Sequence, residues 1–299
     1  MTRPRGLAET TVDGLRLRYA DLGRGEPVVL LHGYSQSHLA WRRQVDALAA
    51  KWRVIALDWF GWGESERDPT RSCRYADEVD RLGRALDALG LDRFNLIAHD
   101  YGGLLALGYA PGAGPRLLRL GVIASRAHAD FLLPYRSLLR VQAALCRWSP
   151  RLAQALPWRR IVELSSRVHV RQGCFDAAIL GEYLGWLDTP PGRRWWVRYH
   201  ADYRLEAMPE LLEGVAGLTC PTMVLWGSAD RYVAPAVGRE LAKGLPDARW
   251  VLVPGADHFV MEERPAEVLR NLEALLETPL TMDASRAAPR RMASGESEA

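Results

Sequence analysis

Phe94-Asn95-Leu96-Ile97-Ala98-His99-Asp100-Tyr101-Gly102-Gly103 runs from an apolar strand into a helix with almost no loop between them. Ala98 stands two residues before the centre of this junction and Gly102 two after it. A turn so sharp admits only small side chains beside it and thrusts its central side chain above the sheet. The spacing is that of a nucleophile elbow, G-x-S-x-G, with Ala98 at the first glycine and Asp100 at the serine. An Asp at such a junction also reads as a helix N-cap. The residues that share its sheet edge bear on which reading holds.

Outward from this turn, short apolar runs bounded by turn residues recur at Pro27–Leu31, Val54–Leu57, Leu120–Ala124, Thr222–Trp226 and Trp250–Val253. Runs of this kind suit parallel strands whose two faces are both covered. Leu15–Leu22 alternates apolar and polar residues, as a strand with one exposed face does. Apolar residues recur at helical spacing over 75–89, 101–109, 235–245 and 265–276. Strand and helix in alternation imply a doubly wound, mostly parallel α/β sheet.

The alternation breaks between about residues 126 and 216. Five tryptophans fall there (Trp148, Trp158, Trp186, Trp195 and Trp196), and 126–204 carries 13 arginines against 6 acids. The expected organisation is an α/β core over 1–125 and 217–278, a helical cap inserted over 126–216, and a disordered tail over 279–299.

Two further strand ends carry chemistry. Trp226-Gly227-Ser228-Ala229-Asp230 puts a carboxylate just past a strand, where catalytic groups of open α/β sheets gather. A plain turn Asp is the alternative. Gly255-Ala256-Asp257-His258-Phe259 places a histidine in a small-residue loop at the same edge. None of the other six histidines combines a strand end, such a loop and a late position. Ser125 and Arg126, after the preceding strand, offer no carboxylate.

HGYSQSHLAWR, LDWFGWGES, AHDYGGLLAL, VLWGSAD and GADHFVMEERPAEV resemble the α/β-hydrolase superfamily over about residues 12–125 and 215–277. The Asp in HDYGG resembles the branch that holds epoxide hydrolases and haloalkane dehalogenases. The resemblance implies an α/β-hydrolase fold with Asp100 as nucleophile, Asp230 as orienting acid and His258 as base. It also implies an oxyanion hole made by the backbone N–H groups of Tyr34 and Tyr101, and a structural role for His32.

An ionised carboxylate attacks an sp³ carbon without first losing a proton, giving an alkyl-enzyme ester. A base-activated water then hydrolyses it at the ester carbonyl. An epoxide oxygen leaving from carbon needs a proton, which cap tyrosines supply in the resembling enzymes. Of Tyr135, Tyr183, Tyr199 and Tyr203, the candidates are Tyr199 and Tyr203, shortly before the strand that leads to Asp230. A departing halide needs N–H donors instead. Tyr101 and Tyr34 occupy the positions where dehalogenases usually carry Trp and Asn, and Ser35 replaces the proline of the epoxide hydrolases' H-G-x-P. Epoxide hydrolysis is the first expectation and dehalogenation the second. Ester or lactone hydrolysis and a non-catalytic binding protein rank below them. The cap tryptophans suggest an apolar or aromatic small-molecule substrate.

A net charge of +3 in 299 residues, without basic runs interleaved with aromatics, gives no reason to expect nucleic acid. No signal sequence and no run near the roughly 18 apolar residues of a membrane span is visible, so the expectation is a cytoplasmic protein without a membrane partner. Cys73, Cys146, Cys174 and Cys220 lack ligand spacing and read as ordinary reduced thiols. No metal or cofactor is expected, and the oligomeric state is not legible.

Overall fold

Eight strands form one sheet: β1 Leu7–Val12, β2 Leu15–Leu22, β3 Pro27–Leu31, β4 Arg53–Asp58, β5 Phe94–His99, β6 Leu117–Ile123, β7 Thr222–Gly227 and β8 Arg249–Val253. They lie in the order β1-β2-β4-β3-β5-β6-β7-β8. The β1–β2 and β2–β4 pairs are antiparallel and all others parallel. This computed structural model describes residues 7–126, 131–203, 206–246 and 248–280. The tail expected over 279–299 lies outside the described residues beyond its first two positions.

The apolar runs become strands because helices cover both sheet faces. Every residue of β5, β6 and β7 is buried. Strand β8 differs: it is the edge, its burial is partial, and Leu252 is exposed, so its apolar run is not a sign of a covered strand. No strand is expected before Leu15 from the apolar runs, yet β1 pairs with β2. Asp13 and Gly14, both at positive φ (54° and 77°), make the two-residue hairpin turn between them.

The helices are α1 Val45–Ala49, α2 Tyr75–Ala88, α3 Asp100–Ala113, α4 Tyr135–Trp148, α5 Pro150–Ala155, α6 Trp158–Ser165, α7 Arg167–Arg171, α8 Ala177–Leu184, α9 Pro190–Asp202, α10 Glu210–Val215, α11 Pro235–Gly244, α12 Val260–Glu263 and α13 Pro265–Leu276. Helices α4 to α10 fall between β6 and β7. Helix α10, inside the 126–216 range, packs on α3 and α11 and so sides with the sheet layers.

Four of the five tryptophans of the insertion are spent on packing against the core and one another. Trp186, Trp195 and Trp196 close around Trp62 of the β4–α2 loop, with centroids 4.8 Å apart for Trp62 and Trp195, and Trp158 joins through Trp196 at 5.9 Å. Gly61 lets this cluster approach. It sits at φ 83°, and a Cβ there would come 1.9 Å from the Trp195 ring. The cluster is the apolar rivet between insertion and core.

Candidate active site

Asp100 opens α3 directly after β5 with φ 48°, a left-handed conformation that costs a non-glycine residue on the order of 1–3 kcal/mol. The crowding behind it explains the small neighbours. A Cβ on Gly102 would come 2.7 Å from the His32 carbonyl oxygen, one on Gly103 2.7 Å from Ser125, and one on Gly33 2.8 Å from the Asp100 Cβ. The Ser125 hydroxyl donates to the Asp100 carbonyl at 2.9 Å and ties the turn to the end of β6.

The carboxylate is not used as a cap. Oδ1 accepts the Tyr34 backbone N–H at 2.7 Å, and Oδ2 lies 3.4 Å from His258 Nε2. On the other side of the imidazole, Nδ1 meets Asp230 Oδ2 at 2.9 Å. Asp230 is fixed in turn, its Oδ1 accepting the N–H groups of Tyr232 (2.8 Å) and Val233 (3.0 Å). The strand ends of β5, β7 and β8 thus bring Asp100, Asp230 and His258 into one buried line. Tyr101 follows Asp100 in the first turn of α3, where a backbone N–H has no partner within its own helix.

Burial alone would raise the Asp100 pKa. The hydrogen bond and charge of His258, with His99 and the Tyr34 N–H, outweigh it and hold the carboxyl well below the usual range. Burial would lower His258, but Asp230 and Asp100 together lift it to about 10. Both His32 and His99 are pushed down by burial, to about 4 and about 3, and stay neutral. His32 Nε2 accepts the Trp59 N–H, which makes it a loop brace, as the sequence suggests. The His99 ring spans Gln36 and the His258 carbonyl, a support with no sequence signal of its own. Asp257 holds the same loop, accepting the His258 and Arg231 N–H groups.

Above Asp100 and His258 lies a narrow cavity of about 70 Å³. Its walls are Phe131, Leu138, Leu139, Ile161, Val162 and Phe259, and its polar groups include Tyr135, Gln142, Tyr203 and Tyr232. No tryptophan lines it, so the apolar character expected from the tryptophans comes from other side chains. The two candidate tyrosines separate. Tyr203 is on the cavity wall, but Tyr199 is not, being stacked between Trp195 and Tyr203 at 5.3 Å from each. The Arg126 guanidinium hydrogen-bonds Tyr203 and lies 5.6 Å from its ring. Burial raises the Tyr203 phenol to about 12 against the pull of Arg126. Tyr34 spends its hydroxyl elsewhere: His200 Nδ1 bonds the Trp196 carbonyl, leaving Nε2 to accept the Tyr34 proton at 2.8 Å. Tyr135 and Tyr232 are wall residues that spacing alone does not single out.

A larger, open groove of about 760 Å³ lies on the outside of the insertion along α6, α7 and α8. Glu163 is the one carboxylate on its lining, and Asp100, Asp230 and His258 do not reach it. Among the described residues, His169, Cys174 and Glu263 are the one grouping of metal-donor types, their donor atoms within 4.8 Å of one another. His169 Nε2 is engaged with the Tyr232 hydroxyl, and Glu263 with the Asp257 N–H. All four cysteines are free.

The fold has counterparts in known proteins. A soluble epoxide hydrolase of Corynebacterium sp. is 28% identical over 273 residues, covering 87% of this chain and 93% of that one. Haloalkane dehalogenase 2 of Mycobacterium tuberculosis is 27% identical over 259 residues, 85% and 88% of the two chains. A cis-3-alkyl-4-alkyloxetan-2-one decarboxylase of Shewanella oneidensis is 24% identical over 274 residues, 87% and 85%. Among solved structures, an α/β-hydrolase-fold protein of Burkholderia ambifaria superposes with a TM-score of 0.77 at 26% identity, over 91% of this chain and 98% of that one. The epoxide hydrolase CorEH gives 0.72 at 26%, over 90% and 98%. The model of the alpha/beta hydrolase family matches residues 28–271, and the chain belongs to that family.

Proposed function

We propose that the chain is a hydrolase with a carboxylate nucleophile and that its substrate is an epoxide. The observation that carries the reading is the division of labour within Asp100. Oδ1 is held by the Tyr34 N–H, Oδ2 lies beside His258, and Asp100 lines the cavity. Oδ2 attacks a ring carbon, the C–O bond of the epoxide breaks, and an ester to Asp100 forms. The departing oxygen takes a proton from Tyr203, whose phenol oxygen is engaged by Arg126, with Tyr135 as a second donor across the cavity. The absence of a tryptophan from the cavity wall removes the usual halide cradle and favours an epoxide.

Ester formation also arms the base. Asp100 is one of the two carboxylates that raise His258, and as an ester it is neutral. The His258 pKa falls as the ester appears, its proton passes to the Tyr203 phenolate left by ring opening, and the neutral imidazole, still oriented by Asp230, deprotonates a water in the space at Nε2. That water attacks the ester carbonyl. The N–H groups of Tyr34 and Tyr101 hold the oxyanion; as the acyl–oxygen bond breaks, the departing oxygen takes the second water proton, and the diol leaves with Asp100 ionised and His258 again a cation. In this reading the inserted helices α4 to α9 are the cap that roofs the cavity and sets substrate size. About 70 Å³ is the share of only a few waters, so a larger substrate requires the α4 and α6 walls to part.

The test is a panel of epoxides, haloalkanes and nitrophenyl esters, followed by His258→Gln with the best substrate. The variant accumulates an alkyl-enzyme, seen as a mass increase on the peptide holding Asp100. Wild-type enzyme turning over in ¹⁸O-water acquires label in the Asp100 carboxylate. A His258→Gln protein that binds substrate without adduct, beside an unlabelled wild-type Asp100, would mean that water attacks the substrate directly. Halide release with epoxides untouched would replace epoxide hydrolysis by dehalogenation.

A further inference from the structure

Ten large apolar side chains are exposed among the described residues, and nine of them lie between Leu132 and Val170; Leu252 is the tenth. The same stretch is cationic. Residues 131–162 contain six arginines and no acid. On α4, Leu138, Val141 and Trp148 recur at spacings of 3 and 7 and form one outward stripe, 49%, 68% and 80% exposed. Leu152 of α5 and Leu164 of α6 extend the apolar surface, at 58% and 52%. Exposed arginines accompany it: Arg147 and Arg151 beside Trp148, and Arg160, Arg167 and Arg171 along α6 and α7. The outer groove over α6 to α8 is built the same way, with Arg159, Arg160, Arg167 and Arg171 around Leu164, Val170 and Leu180.

We infer that this face of the insertion seats on an anionic lipid bilayer surface. Short amphipathic helices with a Trp and leucines on one side and arginines beside them lie in the headgroup region, their apolar stripe in the acyl boundary and their guanidiniums on lipid phosphates. Among the described residues no helix is long and apolar enough to cross a membrane, and short helices of this kind attach to one leaflet. A second copy of the chain is a poor occupant. A two-fold contact through α4 and α5 sets arginines against arginines with no acid in 131–162 to meet them, and Glu163 of α6, the one acid on the groove, is already paired with Arg159. The placement has a consequence for access. Leu138 belongs both to the exposed stripe and to the wall of the cavity above Asp100, and Ile161 and Val162 form the facing wall. The mouth therefore opens on the lipid-facing side, where lipophilic molecules partition.

Vesicle co-sedimentation of the full chain tests this without relying on the chemistry at Asp100. The protein pellets with vesicles of phosphatidylcholine mixed with phosphatidylglycerol, pellets far less with phosphatidylcholine alone, and is released by salt. Trp148→Ser, at a site exposed enough to leave folding unchanged, weakens binding about tenfold, the loss of one interfacial aromatic anchor. The double variant Arg147→Glu and Arg151→Glu abolishes the preference for anionic vesicles. Both variants hydrolyse a water-soluble substrate at the wild-type rate. Equal pelleting with both vesicle types, or with neither at low salt, overturns the inference. So does a dimer in size-exclusion chromatography that Trp148→Ser converts to monomer, since the face is then an interface between copies.

Discussion

The C-terminal edge of the sheet and the helical insertion use similar side chains to opposite ends. Along β5 and β6 every side chain is buried, and the loops that leave the sheet are pinned by Ser125, His32, His99 and Asp257. In the insertion, Leu138, Val141 and Trp148 face outward, and the tryptophans that do turn inward pack on one another and on Trp62. A covered sheet holds atoms to the tolerance that chemistry needs. A half-covered helical roof can part and close. On the proposed mechanism, reaction type belongs to the sheet edge and choice of substrate to the roof, and mutations in the two regions are expected to fail differently.

The sharpest contrast comes from the sheet edge. Asp100→Ala removes the group that forms the ester and lowers turnover by on the order of 10⁴-fold or more while the protein remains folded. Circular dichroism and thermal melting beside the activity assay check both halves. Activity near wild type in a folded variant ends the nucleophile reading. Asp100→Asn reports on the electrostatics of the same line. With one of its two carboxylate partners neutralised, His258 titrates well below its wild-type value of about 10, read from the ring protons by NMR. An unchanged His258 titration would show that Asp230 alone sets it.

Next is the rivet between the two regions. Gly61→Ala drives a methyl into the Trp195 ring at a backbone conformation that only glycine adopts cheaply. The expected cost is about 2–4 kcal/mol, measured by urea unfolding. If insertion and core unfold in separate steps in this variant, the tryptophan cluster is what makes them cooperative. A single unweakened transition would mean that other contacts hold the roof.

How far the sequence carries the argument follows the same division. The strands at Pro27–Leu31 and Thr222–Trp226 are legible because burial on both faces leaves no room for polar residues. Asp100, Asp230 and His258 are legible as neighbours because each follows the end of a strand closely, so the sheet brings them together whatever lies between. The cavity wall is not. Tyr199 and Tyr203 are four residues apart on neighbouring turns, and nothing local says that one faces the cavity and the other stacks into the tryptophan cluster. The tryptophans mislead for the same reason: their aromatic area signals burial but not against what. Tyr135 and Tyr232 reach the cavity by tertiary placement alone. The exposed stripe of α4 is present in the spacing of Leu138, Val141 and Trp148, but periodicity cannot tell an inward face from an outward one.

The smallest expected effects come from the two tyrosines. Tyr203→Phe removes the proton donor at the departing oxygen and slows epoxide opening by about 10²-fold, with the loss in kcat. The alkyl-enzyme then forms more slowly, and its hydrolysis is unchanged. Tyr199→Phe removes a hydroxyl that is buried and has no hydrogen-bond partner among the described residues. Burying an unpaired hydroxyl costs about 1–3 kcal/mol, so its removal leaves stability unchanged or raises it by up to about that much. Both rings keep their stacking, since a phenyl fills the same space, and the melting temperatures of the two variants therefore separate packing from chemistry. The pair gives a clean reading: Tyr203→Phe is slow and less stable by up to about 1–3 kcal/mol, because buried Arg126 loses a partner, and Tyr199→Phe is normally fast and no less stable. A Tyr199→Phe enzyme as slow as Tyr203→Phe would show that the Tyr199 hydroxyl reaches the substrate when the roof parts. The proton would then come from the tryptophan side of the cavity, and the assignment of Tyr203 would fall.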